Sequence, residues 1–110
     1  PHTIEEKMLS LGSAPSGFPS IELYFPLLLN AYHNKKISLE KIVSLTHTRP
    51  QEIFRLSLNE DVVLVDLLKS KKVEDSKLKT KAKWSPYEGM ILQGWPRYTI
   101  LAGKVYDLEE

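Results

Sequence analysis

Three histidines, one Ser–Gly step and a run of lysines threaded with aromatics are the residues of this 110-residue chain best suited to chemistry. The histidines are His2, His33 and His47. A closed metal site takes about four ligands and a catalytic one about three from protein. These imidazoles stand far apart, with no His-x-His pair and no i,i+4 spacing, so no metal site is expected within the chain. Surface or capping positions account for His33 and His47. Ser16 precedes Gly17, yet no nucleophile-elbow pattern surrounds it and no acid–base partner can be assigned to it. Two readings of Ala14-Pro15-Ser16-Gly17-Phe18-Pro19 stay open. Glycine lets a backbone approach a ligand closely, and N–H groups exposed there could hold an anion such as a carboxylate. The same segment could simply turn the chain into a helix.

Lys69, Lys71, Lys72, Lys77, Lys79, Lys81 and Lys83 lead into Trp84, Tyr87, Trp95 and Arg97. Charge interleaved with stacking surfaces suits single-stranded nucleic acid. Lysines also keep an edge strand from pairing with other chains, and Trp84 and Trp95 would then pack beneath them. Glu74, Asp75 and the acidic C-terminus dilute the field, which favours the second reading.

Composition is that of an ordinary globular protein, with 42% apolar and 26% charged residues. Fifteen basic residues against fourteen acidic ones leave a net charge of +1, so charge alone points to neither nucleic acid nor membrane. The longest apolar run, Leu27 to Leu29 with its flanking aromatics, is far short of the ~20 residues a membrane span needs. The absence of cysteine removes disulfides and thiolate metal sites and fits a reducing, cytoplasmic setting. Pro1 stands where an initiator Met would be, and we expect the chain to be the C-terminal piece of a larger molecule.

The elements that must position these residues change in character near residue 57. Glycines, prolines and serines make residues 1 to 19 an extended loop with room for one helical turn. Ser20 should cap a helix with Glu22 in its first turn. Apolar residues surround this helix, so it should be covered on most sides, and Pro26 should kink it. Ser38 should cap a second helix carrying Leu39, Ile42, Val43 and Thr46. Thr48 to Gln51 has the spacing of a capping box that starts a third, with Pro50 in its first turn. From Asp61 the period switches: Val62-Val63-Leu64-Val65 reads as a buried strand. Lys77, Lys79, Lys81 and Lys83 alternate as on one exposed strand face. Tyr98 to Leu101 and Lys104 to Tyr106 flank Ala102-Gly103 as a β-hairpin.

Two segments carry a resemblance. Pro1-His2-Thr3-Ile4-Glu5-Glu6-Lys7 is similar to the end of the Asp-His-Ala-Pro-His-Thr-x-Glu-Glu-Lys motif of the dihydroorotases, cyclic amidohydrolases of the amidohydrolase superfamily. Lys83-Trp84-Ser85-Pro86-Tyr87-Glu88-Gly89, followed by Gly94 and Thr99-Ile100-x-x-Gly103-x-Val105-Tyr106, resembles their C-terminal signature. Pro15-x-Gly17-Phe18-Pro19-x-x-Glu22, Leu27-Leu28-Leu29 and the proline within the helix match between them. Glu88 favours dihydroorotase over allantoinase and dihydropyrimidinase. The chain departs from the pattern at Arg49, where Asn usually precedes the proline, and at Ser57-Leu58-Asn59-Glu60, where many relatives carry an extra glycine-rich strand.

The resemblance implies an α/β fold: the C-terminal end of a (β/α)8 TIM-type metal-dependent hydrolase barrel, plus part of a small β-rich accessory domain. Residues 1–57 would be the loop after strand eight and the closing helices of the barrel, and 58–110 the C-terminal part of the accessory β-sandwich. It also implies reversible cyclisation of N-carbamoyl-L-aspartate to L-dihydroorotate in pyrimidine biosynthesis. A Zn2+ centre held by histidines, a carboxylated lysine and an aspartate would activate water and polarise the carbonyl, all ahead of Pro1. His2 would bind the substrate α-carboxylate, and the main chain at Ser16 and Gly17 the same end of the substrate. No catalytic or metal-binding residue then falls in this chain, which alone would be inactive. Expected partners are the missing N-terminal part of the enzyme, a small-molecule substrate, further copies in a homo-oligomer and aspartate transcarbamoylase, with no nucleic acid and no membrane. Another cyclic amidohydrolase, or a non-catalytic partner of aspartate transcarbamoylase, would share most of these features.

Overall fold

In the computed structural model, residues 2–57 and 60–109 are described. The departure at Ser57 to Glu60 and the expected boundary after residue 57 fall on Leu58 and Asn59, outside the described residues. Four α-helices among the described residues lead into a three-stranded antiparallel sheet: α1 (Ile4–Lys7), α2 (Ile21–His33), α3 (Leu39–Val43), α4 (Arg49–Phe54), β1 (Val62–Lys72), β2 (Ile91–Leu101) and β3 (Lys104–Asp107). Strand order is β1-β2-β3, with β2 in the middle.

The helix after Ser20 forms where expected, but the Ser20 hydroxyl does not cap it. Glu22 looks outward instead, to the main chain at Lys79 and Thr80. Pro26 sits buried within α2. Ser38 does cap α3, its hydroxyl accepting from the Lys41 N–H at 3.2 Å. The third helix does not start with a cap at Thr48. Thr48 has helical angles and no side-chain cap, and Ser44–Thr48 is a π-helical segment joining α3 to α4 without a break. The reason is Pro50, which lacks an N–H and whose ring would strike the carbonyl four residues back. Widening the turn, with the Arg49 N–H reaching back to the Ser44 carbonyl, relieves that collision.

From the sheet's first strand onward two expectations fail. Val62, Val63 and Leu64 form a strand, yet each is exposed, because β1 is an edge and nothing described lies over it. The alternating lysines are not on a strand at all. A 3-10 turn, Asp75–Lys77, and irregular chain carry them, and Lys83 takes a left-handed φ of 55°. The hairpin is as read: Leu101 pairs with Lys104, and Ala102 and Gly103 have φ of 48° and 78°. Two successive positive φ values match the twist of the strands they join.

The core is small and lies between α2 and β2. Leu23, Val73, Leu78 and Leu92 form its centre, with Leu27, Tyr87 and Trp95 packed around them. α2 comes so close to β2 that a Cβ built on Gly94 would stand 2.6 Å from the Leu29 Cβ. The β1–β2 register slips at this place, between Asp66 and Ser70. The bulge is held by the Asp66 carboxylate, which accepts from the Leu68 and Lys69 N–H groups at 2.9 and 3.1 Å. It also frees the Gln93 N–H to donate to the Asn30 side chain at 3.1 Å.

The rest of the surface is unusually apolar. α2 buries only Leu23, Pro26 and Leu29, leaving Ile21 95% exposed, so it is covered on one face rather than most sides. Leu11, Ile53, Phe54, Leu68 and Val105 are exposed as well. The radius of gyration is 16.0 Å, against about 13 Å for a compact chain of this size.

Gly94→Ala should lower the unfolding free energy by about 2–4 kcal/mol, combining steric conflict with Leu29 and a strained backbone. Gly12 has nearly the same φ, 94°, but open space around it, so Gly12→Ala should cost only about 1–2 kcal/mol. Denaturant titration of both variants checks this; equal losses would mean that the close approach to Leu29 has no energetic weight.

Candidate functional site

The N-terminal segment is organised from its first described residue. The Thr3 hydroxyl accepts from the Glu6 N–H at 3.3 Å, and the Glu6 carboxylate accepts from the Thr3 N–H at 2.7 Å. This reciprocal cap lets a helix of only four residues form. The same Glu6 oxygen lies 3.7 Å from His2 Nδ1. On its other side His2 is held by a residue far along the chain: the Trp84 indole N–H donates to the His2 carbonyl at 2.8 Å. The imidazole itself is half-buried, with no other polar contact among the described residues.

Lys7 ties α1 to the next loop by donating its ammonium to the Pro15 carbonyl. Within that loop the N–H groups of Ser13 and Ala14 both donate to the Ser10 carbonyl. Ser16 and Gly17 then stand exposed, and neither main-chain N–H meets an acceptor among the described residues. Gly17 has φ of 83°, a conformation costly to any residue with a Cβ. Two free N–H groups on an exposed bend suit an anion.

Residues downstream brace the loop. The Phe18 ring meets Tyr87 edge-on with centroids 6.1 Å apart. The Glu22 carboxylate accepts from the Lys79 N–H at 2.9 Å and the Thr80 N–H at 3.1 Å. Between these residues runs a groove of about 500 Å³ lined by Phe18, Pro19, Ile21, Leu23, Leu78 and Lys79. Ser85 is buried, and its hydroxyl accepts from the Tyr87 N–H at 3.0 Å. Glu88 accepts from the Asp75 N–H at 2.6 Å.

The tract from Lys83 to Gly89 therefore braces both candidate elements, His2 through Trp84 and the Ser16-Gly17 loop through Tyr87. No direct hydrogen bond joins His2 to Ser16 or Gly17 among the described residues. Sequence reasoning missed these supports, since nothing local links residues some 70 to 80 positions apart; only the aromatic content of the tract hinted at them. His47 is exposed, and His33 lies edge-on to Tyr32 with its Nε2 buried and unpartnered among the described residues.

The basic and aromatic stretch is largely engaged internally. Glu109 pairs with Lys69, with Lys71 at 3.0 Å and with Arg97 at 3.4 Å, while Asp107 pairs with Arg97. The Lys71 ammonium sits 5.2 Å from the centre of the Trp95 ring, and Arg97 stacks at 4.4 Å on Tyr98. The acidic C-terminus thus pairs with three of these cations, Lys69, Lys71 and Arg97. Among the described residues no helix is long and apolar enough to cross a membrane.

Compared with known proteins, the chain matches the dihydroorotase of Brevibacillus brevis at 33% identity over 96% of its own length. It matches the multifunctional protein pyr1-3 of Dictyostelium discoideum at 35%, again over 96%. The chain is homologous to a segment of dihydroorotases. It spans 26% of the Brevibacillus enzyme and 5% of the Dictyostelium protein. No family model matches it. In fold, it superposes with a TM-score of 0.78 on the L-hydantoinase (dihydropyrimidinase) of Arthrobacter aurescens, covering 86% of this chain and 23% of that one at 28% identity. It superposes at 0.72 on the inactive dihydroorotase-like domain of a Chaetomium thermophilum CAD-like multifunctional protein, covering 93% of this chain and 28% of that one at 22% identity. The helices and small antiparallel sheet of this dihydroorotase-like chain are thus a portion of the amidohydrolase fold.

Such hydrolases are generally metal-dependent. Among the described residues no three His, Asp or Glu side chains gather where they could share a cation. The described residues therefore do not by themselves fit a zinc centre.

Glu109 supplies a pH prediction. Hydrogen bonds from Lys69 and then Lys71 hold its carboxyl down from 4.5 to about 2. A carboxyl depressed in the folded state stabilises above its unfolded pKa, and that contribution is lost as pH falls through the folded one. The C-terminal clamp should therefore weaken between about pH 4.5 and 2. Fluorescence of Trp95 during acid titration should report it, and Lys69→Met with Lys71→Met should move the change to higher pH; an unmoved titration would remove Glu109 as its cause.

Proposed function

We propose that this chain is the substrate-gripping portion of a dihydroorotase, the enzyme that reversibly cyclises N-carbamoyl-L-aspartate to L-dihydroorotate in pyrimidine biosynthesis. The observation that carries this reading is the pair of unengaged N–H groups at Ser16 and Gly17, on a bend braced by the same tract that fixes His2. Free main-chain N–H groups and an imidazole are both donors suited to a carboxylate, and on this reading His2 and the main chain at Ser16 and Gly17 share the anion. Both substrate and product carry such a carboxylate, so this grip orients the ring-closing atoms without taking part in bond making. Zn2+ and the residues that hold it belong, on this reading, to the remainder of the enzyme, and the isolated chain is inactive.

Residues 1–57 are then the closing part of the barrel and 58–110 the end of the accessory β-sandwich, with the α2–β2 contact as the seam between them. Exposed apolar residues on β1, α2 and α4 are the surfaces that the remainder covers. The whole enzyme is a cytoplasmic homo-oligomer that works beside aspartate transcarbamoylase; the likeness to multifunctional pyrimidine proteins supports that association. A second reading is favoured by the fold neighbour named as inactive: a dihydroorotase-like domain kept for assembly rather than turnover. The hydantoinase neighbour supports a third, a sister cyclic amidohydrolase with another substrate.

The test is to supply this chain with the metal-bearing remainder and assay dihydroorotate, hydantoin and allantoin. We expect hydrolysis of dihydroorotate alone, abolished by a chelator. His2→Ala should raise KM roughly 10- to 100-fold, the loss of a charge-assisted hydrogen bond of about 1.5–3 kcal/mol. Gly17→Ala should act in the same direction because φ of 83° disfavours it. Turnover of hydantoin instead would select the sister activity, and no turnover at any metal concentration would select the inactive homologue.

A further inference from the structure

We infer that Trp84 is a positioning residue for the carboxylate grip, acting through His2; this rests on the proposed role of His2 in binding that anion. His2 has little of its own to hold it. It precedes the first helix, its ring is half-exposed, and its only polar side-chain neighbour among the described residues is Glu6 at 3.7 Å. Main-chain anchorage comes from one bond, the Trp84 indole N–H on the His2 carbonyl at 2.8 Å. A carbonyl fixed from one side and a ring flanked by Glu6 on the other leave the imidazole few orientations. Its Nδ1 is directed to Glu6, which leaves Nε2 to face a ligand.

Trp84 can act as a brace because it is itself held. Lys83 before it adopts φ of 55°, with its ammonium donating to the Leu78 carbonyl at 2.9 Å. Ser85 after it is buried and bonded to the Tyr87 N–H. Leu78 belongs to the core. A chain of packed and bonded groups thus runs from the hydrophobic centre through Leu78, Lys83 and Trp84 to His2. An imidazole displaced by even about 1 Å would meet the anion poorly, and oriented binding groups are sensitive on that scale.

The experiment uses the assembled enzyme and reads the Kd of dihydroorotate by calorimetry, KM and kcat in the assay, and the melting temperature. Trp84→Phe keeps a smaller aromatic ring and removes the donor. We expect Kd and KM to rise about fivefold, the size of one ordinary hydrogen bond, with kcat within about twofold and the melting temperature lower by no more than about 2 °C. In a His2→Ala background Trp84→Phe should add nothing further. Trp84→Phe without effect on Kd, beside a His2→Ala variant that binds poorly, would overturn the positioning role and leave the carboxylate reading standing. A full Trp84→Phe effect in the His2→Ala background would overturn it too, since the indole would then act elsewhere. A silent His2→Ala, or no binding by the unaltered enzyme, would overturn both. Should Trp84→Phe fail to fold, amide exchange in the unaltered enzyme decides: a Trp84 indole N–H that slows on adding dihydroorotate supports the brace, and one exchanging at the rate of a free indole refutes it.

Discussion

Close approach between a helix and a strand organises this chain. Gly94 lies where α2 presses on β2, and no other residue type fits 2.6 Å from the Leu29 Cβ. Because the helix can settle that far in, Leu23 reaches Leu78 and Leu92, and Asn30 reaches the N–H released by the β-bulge. The start of α2 is fixed by the same contact, so Glu22 meets residues 79 and 80, and the loop before it meets Tyr87. The candidate anion grip is therefore the far end of a lever whose fulcrum is one glycine.

Charged side chains here serve the backbone more than they serve chemistry. Asp66 satisfies the bulge, Asp61 accepts from the Ala102 N–H at the hairpin, Glu22 and Glu88 hold the irregular chain between β1 and β2, and Glu109 gathers three cations across the sheet. Irregular chain has many main-chain donors without ladder partners, and carboxylates are strong acceptors for them. The N–H groups at Ser16 and Gly17 have no such carboxylate among the described residues. They are donors on an ordered loop that meet no acceptor among the described residues.

The hydrophobic core is too small for the apolar surface around it. Among the described residues only Leu23, Leu29, Ile42, Val73, Leu78 and Leu92 form a buried hydrophobic set, while residues as large as Ile21, Phe54 and Leu68 face outward. Water-facing clusters of this extent mark interaction surfaces in proteins. Their placement on an edge strand and on the outer sides of α2 and α4 agrees with the quarter-length match to dihydroorotases.

Much was legible locally. Ser38 capping α3, the Ala102-Gly103 turn, the proline inside α2 and the likeness of both end segments to dihydroorotases depend on neighbouring residues or on order along the chain, and the residues alone determine them. The lysine alternation misled because period two describes a strand only when a partner strand accepts it; Leu78 drawn into the core and the positive φ at Lys83 prevented that. Val62 to Leu64 misled because sequence records what a segment needs covered, not which polypeptide covers it. The cap expected at Thr48 lost to a widened helical turn around Pro50. What only the tertiary structure decided is the bracing of His2 by Trp84 and of the Gly17 loop by Tyr87. Those contacts join residues some 70 to 80 positions apart, and no local propensity encodes them: they form only where the folded chain sets Trp84 and Tyr87 against the segment from His2 to Phe18.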